Sequence, residues 1–186
     1  GFADGPGLNG EQTINIAGID LERDSLPLAR EELDVASCFE TLEHFKFGPQ
    51  KFLIEVNRVL KMNGMAIFST PNAQCADAVA KIFEGQHPHE SQFYHYDFDV
   101  GRMHPLEYAW GQLFDLFEMN GFKIRNFISI NFAPLTPNEI ECIEIMCSYR
   151  TRHSLSLGKH FGRTWVIVAE KTSNISDFTC PSSLFA

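Results

Sequence analysis

The fold is decided by Leu33–Asn72, LDVASCFETLEHFKFGPQKFLIEVNRVLKMNGMAIFSTPN. Two short apolar runs, Leu33–Phe39 and Met65–Ser69, have the length of buried strands. Between them, apolar residues recur at spacings of three and four, which predicts one helix face: Phe52, Leu53, Val56, Val59 and Leu60. Pro49 suits the first turn of that helix, and Asn63-Gly64 is typical of a helix end. The unit predicts two neighbouring parallel strands joined by a right-handed crossover.

The rest of the chain continues the alternation of strands and helices. Further strands are expected at Thr13–Ile19, Phe122–Ile130 and Arg163–Lys171. Helices are expected over Ala76–Phe83 and from Pro105 to Asn120-Gly121, whereas Glu139–Tyr149 fits a helix or a strand. This order predicts an α/β fold with a Rossmann-like, mostly parallel sheet and helices on both faces.

One domain is expected, over residues 13–172 of the 186. A glycine-rich flexible leader, residues 1–12, would precede it, and a loose tail, residues 173–186, would follow. Ligands of such sheets bind beyond the carboxyl ends of the strands, so the residues that follow each strand are the first candidates for a site.

The charge balance argues against a nucleic-acid-binding module. Acidic residues number 24 and basic residues 15, which gives a net charge of −9. Affinity for a phosphate backbone comes from Lys and Arg, so an acidic chain opposes it. The longest apolar run, Trp165–Ala169, is far shorter than the roughly twenty residues of a membrane span, and the N-terminus does not resemble a secretory signal.

The cysteines indicate a reducing compartment. The chain has five, none of them in a Cys-x-x-Cys pair: Cys38, Cys75, Cys142, Cys147 and Cys180. Neither a disulfide framework nor a zinc ribbon is predicted from this spacing. A cytoplasmic location is the simplest expectation.

An ordered set of motifs resembles the class I S-adenosylmethionine (SAM) dependent methyltransferases. The set consists of Asp20-Leu21-Glu22 with Leu26-Pro27, Leu33-Asp34, Glu40 to His44, Arg58 to Gly64, Ser69 to Asn72, and His104 to Tyr108. The resemblance covers about Ile14 to Lys171. Met62-Asn63 stands where the family has Pro-Gly, although Asn-Gly still suits a turn.

The resemblance implies SAM as cofactor and a set of residues that hold it. Asp20 would accept the adenine amino group and Leu21 would pack on the ring; otherwise Asp20 is a helix-capping or turn aspartate. Phe39 and Glu40 would lie near the methionine moiety and the transferred methyl group. Methyl transfer is an in-line displacement, so the protein chiefly aligns its reactants and excludes water.

Glu43 and His44 are the catalytic candidates, as a general base for an oxygen or nitrogen acceptor. The alternative is that both residues brace the loop and cap the next helix. Many methyltransferases rely on alignment alone, which favours the structural role.

The segment Gln86–Met103 is rich in histidine and aromatic residues and is interpreted as a lid over the methyl acceptor. His95 within it, with Asn72 and His104 beside it, is assigned to that acceptor side. His87, His89, His95 and His104 with Asp97 and Asp99 also suggest a metal, but no tight second ligand pair follows, and the assignment is no metal. A plain surface loop is the third possibility.

The family's N-terminal half, with its glycine loop and ribose-binding acid, is not found in this sequence. Asp4-Gly5-Pro6-Gly7 resembles the loop only faintly, since no apolar strand precedes it. A truncated form is therefore expected, one that binds SAM weakly by itself. The alternative is a non-catalytic, methyltransferase-like binding or assembly subunit. The strand Leu33–Phe39 would have an open edge, so either Ile14–Ile19 pairs with it or the chain forms a homodimer.

Overall fold

The computed structural model describes residues 18–88, 104–152 and 160–175. Its strands are β1 (Leu33–Phe39), β2 (Leu60–Pro71), β3 (Phe122–Ile130) and β4 (Thr164–Lys171). Its helices are α1 (Gln50–Val59), α2 (Ala76–Phe83), α3 (Trp110–Met119) and α4 (Pro137–Arg152), with a short 3-10 helix at Leu42–His44.

The four strands form one mixed sheet in the order β1-β2-β4-β3. β1 pairs in parallel with β2, as predicted, and β4 runs antiparallel to both β2 and β3. Three of the four strands therefore point the same way, and the expected Rossmann-like α/β fold is confirmed. Within the described residues, β1 is an edge strand, and its carboxyl end meets that of β2.

The apolar core lies on one face of the sheet. Ala66 and Phe68 of β2 share this face with Ile167 and Ala169 of β4, because they are direct partners in the register. The apolar faces of α1 and α3 pack against them through Phe52, Leu53, Val56, Leu113, Leu116 and Phe117. The apolar residues that recur every three or four positions in the sequence form the face that each helix buries.

The opposite face of the sheet is more open. Val35 and Phe39 of β1 point to it and are 53% and 58% exposed. Ile67 and Val168, paired across β2 and β4, are only half-buried there. In the part of the chain that the structure describes, this apolar face is incompletely covered.

Two helix boundaries differ from the prediction. Helix α1 ends at Val59 instead of continuing to Asn63-Gly64, because Leu60 turns extended (ψ 139°) and buries its side chain beside Leu33. The residues up to Gly64 then form an irregularity in β2, where Asn63 takes a positive φ of 63°. The turn was correctly located, but it lies inside a strand.

Helix α3 begins at Trp110, five residues after Pro105. The intervening residue Tyr108 bridges in parallel to Asn72 at the end of β2, and its carbonyl accepts bonds from Ala73 N and Trp165 Nε1. This extended pairing excludes a helix there. Glu139–Tyr149, which fitted either state, lies in helix α4.

Several expectations fall on residues outside those described. Residues 1–17 and 89–103 include the leader, most of the strand Thr13–Ile19 and most of the lid; Gly18 and Ile19 are not in a strand. Of the expected tail, Ser173 and Ile175 are hydrogen-bonded to the side chain of Asn57. Among the described helices, none has the length and apolar character needed to cross a membrane.

Candidate active site

The candidate site begins where β1 and β2 end side by side. Glu40 follows β1 in the left-handed region, with φ 47°, which is uncommon for a residue with a Cβ. Its backbone N–H donates to Ser69 O (3.0 Å), and Ser69 Oγ donates to Glu40 Oε1 (2.6 Å). These bonds hold the Glu40 carboxylate at the strand ends, where ligands of such sheets bind.

Glu43 is the most buried carboxylate of the site. Its side chain is 1% exposed, and Thr70 Oγ1 donates to its Oε2 at 2.9 Å. The other oxygen, Oε1, has no hydrogen-bond partner among the described residues. Burial raises the pKa of this carboxyl, against the lowering effect of its hydrogen bonds. A buried carboxylate with one unmatched oxygen is costly unless another group approaches it.

Two histidines lie beside Glu43. His44 Nε2 is 3.7 Å from Glu43 Oε1, and the rings of His44 and His104 meet edge to face with centroids 4.9 Å apart. His104 Nδ1 lies 3.1 Å from Glu107 Oε1. One ligand atom from each of Glu43, His44 and His104 falls within 4.8 Å of the others.

Asn72 and Tyr108 join the two segments that carry these side chains. Tyr108 OH donates to Leu42 O (3.3 Å), which connects the His104–Tyr108 segment to the 3-10 helix. Asn72 is buried, and its Nδ2 donates to Gly162 O (2.7 Å). This bond ties the end of β2 to the residues before β4, and the assignment of Asn72 to the acceptor side stays a prediction.

The segment that carries Asp20 and Leu21 borders β1, because Leu21 and residues of β1 line the same groove. Asp20 Oδ1 accepts from Glu22 N (3.0 Å), and Asp24 N donates to Asp20 O (2.7 Å). Asp20 thus forms a turn, the structural alternative considered from the sequence, and its carboxylate is still 49% exposed. Leu21 is half-buried against the core.

An open groove of about 380 Å³ lies between this segment, β1 and α1. Its walls are almost entirely apolar: Leu21, Leu26, Leu33, Val35, Ala36, Ser37, Cys38, Phe52, Val56, Val59 and Phe68. Small-molecule sites are commonly of this kind, mostly apolar with a few polar groups beside them.

A partly buried ion pair attaches the segment to α1. Arg58 makes two hydrogen bonds to the Glu55 carboxylate and donates to Leu26 O and Leu28 O. Glu55 Oε2 in turn accepts from Leu26 N (2.8 Å). In the sequence, Leu26-Pro27 and Arg58 belong to two separate motifs. In the structure, the Arg58 guanidinium donates a hydrogen bond to Leu26 O and so connects them.

The structure brings some of the predicted residues together and not others. Glu40, Glu43 and His44 lie together at the strand ends, with His104 beside them, while Asp20 and Leu21 border the groove. His95 is outside the described residues, and His87 is exposed. Sequence reasoning missed the contacts of Thr70 and Glu107, although both lie inside motifs that it had singled out.

A family model for a methyltransferase domain matches residues 7–68, which include Asp20, β1, α1 and most of β2. The resemblance to class I methyltransferases is thereby confirmed for this part of the chain. No curated protein matches significantly.

Solved structures share the fold at low sequence identity. A chain from the complex of the Haloferax volcanii Trm112 methyltransferase activator with a methyltransferase is 16% identical, with a TM-score of 0.50, 83% of this chain and 60% of that chain being covered. A SAM-dependent methyltransferase from Thermotoga maritima is 20% identical (TM-score 0.49; 79% and 60% covered). One from Archaeoglobus fulgidus is 16% identical (TM-score 0.46; 77% and 62%). This chain therefore spans about three fifths of their length.

Proposed function

Starting from the match of residues 7–68 to the methyltransferase domain family, we propose that this chain is part of a SAM-dependent methyltransferase. The methyl acceptor is a nucleophile of unassigned class. The alternative is a methyltransferase-like subunit that binds or assembles without catalysis.

The observation that carries the proposal is the parallel pairing of β1 with β2. It places Glu40 and Glu43, which follow β1, against Ser69 and Thr70 of β2 at one edge of the sheet. Polar groups at the carboxyl ends of adjacent parallel strands are where α/β enzymes bind their ligands.

The described residues fit the adenine end of SAM. Leu21 presents an apolar side chain to the groove, and the exposed Asp20 carboxylate can accept a further hydrogen bond beside it. When bound, SAM supplies an electrophilic methyl group on a sulfonium. Phe39, exposed at the end of β1, and Glu40 would lie toward that methyl group.

The remaining residues would align the acceptor. Asn72 and Tyr108 fix the segment that carries His104 against the strand ends, so His104 and His44 border the acceptor side. Glu43 and His44 are the candidates that receive a proton from an acidic acceptor. His95 is proposed for the same side.

Ligand-observed NMR tests the proposal, because saturation transfer detects even weak binding. We expect the adenine protons of SAM to receive saturation from the full chain and S-adenosylhomocysteine to compete. Asp20→Ala should weaken the effect, because the amino group loses its acceptor. The matched control is Asp34→Ala, an exposed carboxylate at the amino end of β1.

Equal signals from both variants would contradict the role of Asp20. An absence of SAM signal at millimolar concentration, with the wild-type chain folded by circular dichroism, would favour the non-catalytic subunit.

We also propose that the chain works as a cytoplasmic homodimer. Among the described residues β1 has no strand on its outer side, and its Val35 and Phe39 are exposed, which supports a second copy as the covering surface.

A further inference from the structure

We propose that Glu43, His44 and His104 bind a divalent transition-metal ion. The three residues come from two distant parts of the chain, the 3-10 helix after β1 and the segment that follows residue 103. No metal was assigned from the sequence because no tight second ligand pair follows His87 and His89, and Glu43 and His44 were not considered as ligands.

The first support is the unmatched oxygen of Glu43. Oε2 is fixed by Thr70, whereas Oε1 is buried without a hydrogen-bond partner among the described residues. Such an atom needs a donor or a cation to offset its loss of water. His44 Nε2 lies 3.7 Å from Oε1, which is beyond hydrogen-bonding distance.

The second support is the donor set. A carboxylate oxygen and two imidazole nitrogens form a ligand set that Zn²⁺ and similar ions prefer. These atoms lie within 4.8 Å of one another. Ligand atoms about 2.1 Å from a tetrahedral ion are about 3.4 Å apart, so binding would draw the side chains together by at most about 1.4 Å.

The third support is the neighbour of His104. Glu107 Oε1 is 3.1 Å from Nδ1 of that ring, which leaves Nε2 for the ion. Metal-binding histidines commonly pair their second nitrogen with a carboxylate, which fixes the ring and raises its basicity. His104 and Glu107 thus have the arrangement of a ligand and its orienting group.

Three protein ligands leave a fourth position for water or another oxygen. An acceptor oxygen could take that position, a consequence that rests on the proposed methyl transfer, whereas the metal site itself does not. Oε1 of Glu43 cannot bind an ion and receive a proton at once, so metal binding would replace its role as general base.

Competition titration with a chromogenic zinc chelator tests the site on the full chain. We expect micromolar or tighter Zn²⁺ binding at one equivalent. His44→Gln and His104→Gln should lower the affinity more than a hundredfold, and Glu107→Gln about tenfold, as for an orienting group. The matched control is His87→Gln, an exposed histidine outside the cluster, which should retain the wild-type affinity.

Glu43→Gln separates binding from folding. The amide keeps an oxygen for Thr70 and removes a buried charge, so the metal-free variant should unfold at or above the wild-type temperature. Its Zn²⁺-induced stabilisation should be lost.

X-ray absorption of the zinc-loaded wild-type chain needs no variant. Nitrogen and oxygen ligands with a two-histidine signature support the site. The proposal would be overturned by sulfur bound to the zinc, by wild-type affinity in His104→Gln, by loss of binding in His87→Gln, or by the absence of zinc binding.

Discussion

Removal of the Arg58 side chain should detach the Leu26–Leu28 loop and destabilise the chain. The guanidinium donates to Leu28 O (2.8 Å) and Leu26 O (2.9 Å) while it holds the Glu55 carboxylate by two further bonds. The side chains of Arg58 and Glu55 are 22% and 11% exposed, so water reaches them only in part. Arg58→Ala therefore leaves two carbonyls and a carboxylate poorly matched.

The magnitude follows from these contacts. A hydrogen bond to a charged group contributes about 1.5–3 kcal/mol, so the two carbonyl bonds together represent about 3–6 kcal/mol. Water can enter the partly exposed site of the Arg58→Ala variant and replace some of the lost hydrogen bonds. We expect a loss of about 3 kcal/mol in the free energy of unfolding, within the range for breaking one side of a buried pair.

Urea unfolding measures this loss, with Arg23→Ala as the matched control. Arg23 is 69% exposed and lies 3.7 Å from Asp20, so its removal should cost less than about 1 kcal/mol. Hydrogen exchange adds a local readout, since Leu26 N donates to Glu55 and should exchange faster in Arg58→Ala. A loss below 1 kcal/mol, or equal losses in the two variants, would refute the reasoning.

The same pair predicts a pH dependence. The hydrogen bonds from Arg58 hold the pKa of the Glu55 carboxyl below its ordinary value of 4.5. A carboxyl whose pKa is lower in the folded than in the unfolded chain stabilises the folded state at pH values above 4.5. This stabilisation is lost as the pH falls through the pKa of the folded state. The stability difference between wild type and Glu55→Gln should be constant from pH 7 to about 5 and shrink below 4.5. A stability difference that grows as the pH is lowered would contradict the stabilising role of the ionised Glu55 carboxylate.

Two further predictions concern the turn after α3 and strand β1, which is at the edge of the sheet that the described residues form. Gly121→Ala should destabilise by about 1–3 kcal/mol in thermal unfolding, because φ is +78° and a Cβ would meet Ser173 O at 2.7 Å. The control is Gly111→Ala in helix α3, where a Cβ would meet no atom within 4 Å, and it should stabilise the fold by about 0.5–1 kcal/mol. Equal effects of the two substitutions on thermal unfolding would contradict this. Light scattering should report twice the 21.1 kDa chain mass, and Val35→Glu on the exposed edge strand should halve it. A wild-type monomer would end the dimer proposal.

The sequence by itself determined most of the described helices and strands and the parallel pairing of β1 with β2. The spacing of apolar residues from Phe52 to Val59 was enough to predict helix α1. The runs Leu33–Phe39 and Met65–Ser69 were enough to predict two neighbouring parallel strands. These features depend on local periodicity and on the handedness of a short crossover, which act within a few tens of residues. The motifs likewise located Glu40, Glu43 and His44 at the strand ends.

The boundaries and the contacts of the site were decided only by the tertiary structure. Leu60 left the helix to enter the core beside Leu33, and Tyr108 stayed extended because its backbone pairs with Asn72. Local propensity yields in both places to burial and hydrogen bonding with distant residues.

The meeting of Glu43 with His104 depends on the same kind of contact. These residues are held together through Tyr108, whose hydroxyl donates to Leu42 O across 66 positions of sequence. No periodicity or motif spacing in the sequence encodes this contact. It forms only when the His104–Tyr108 segment packs against the ends of β1 and β2. The sequence contained each ligand-type side chain, and the packed chain alone determined which of them face one another.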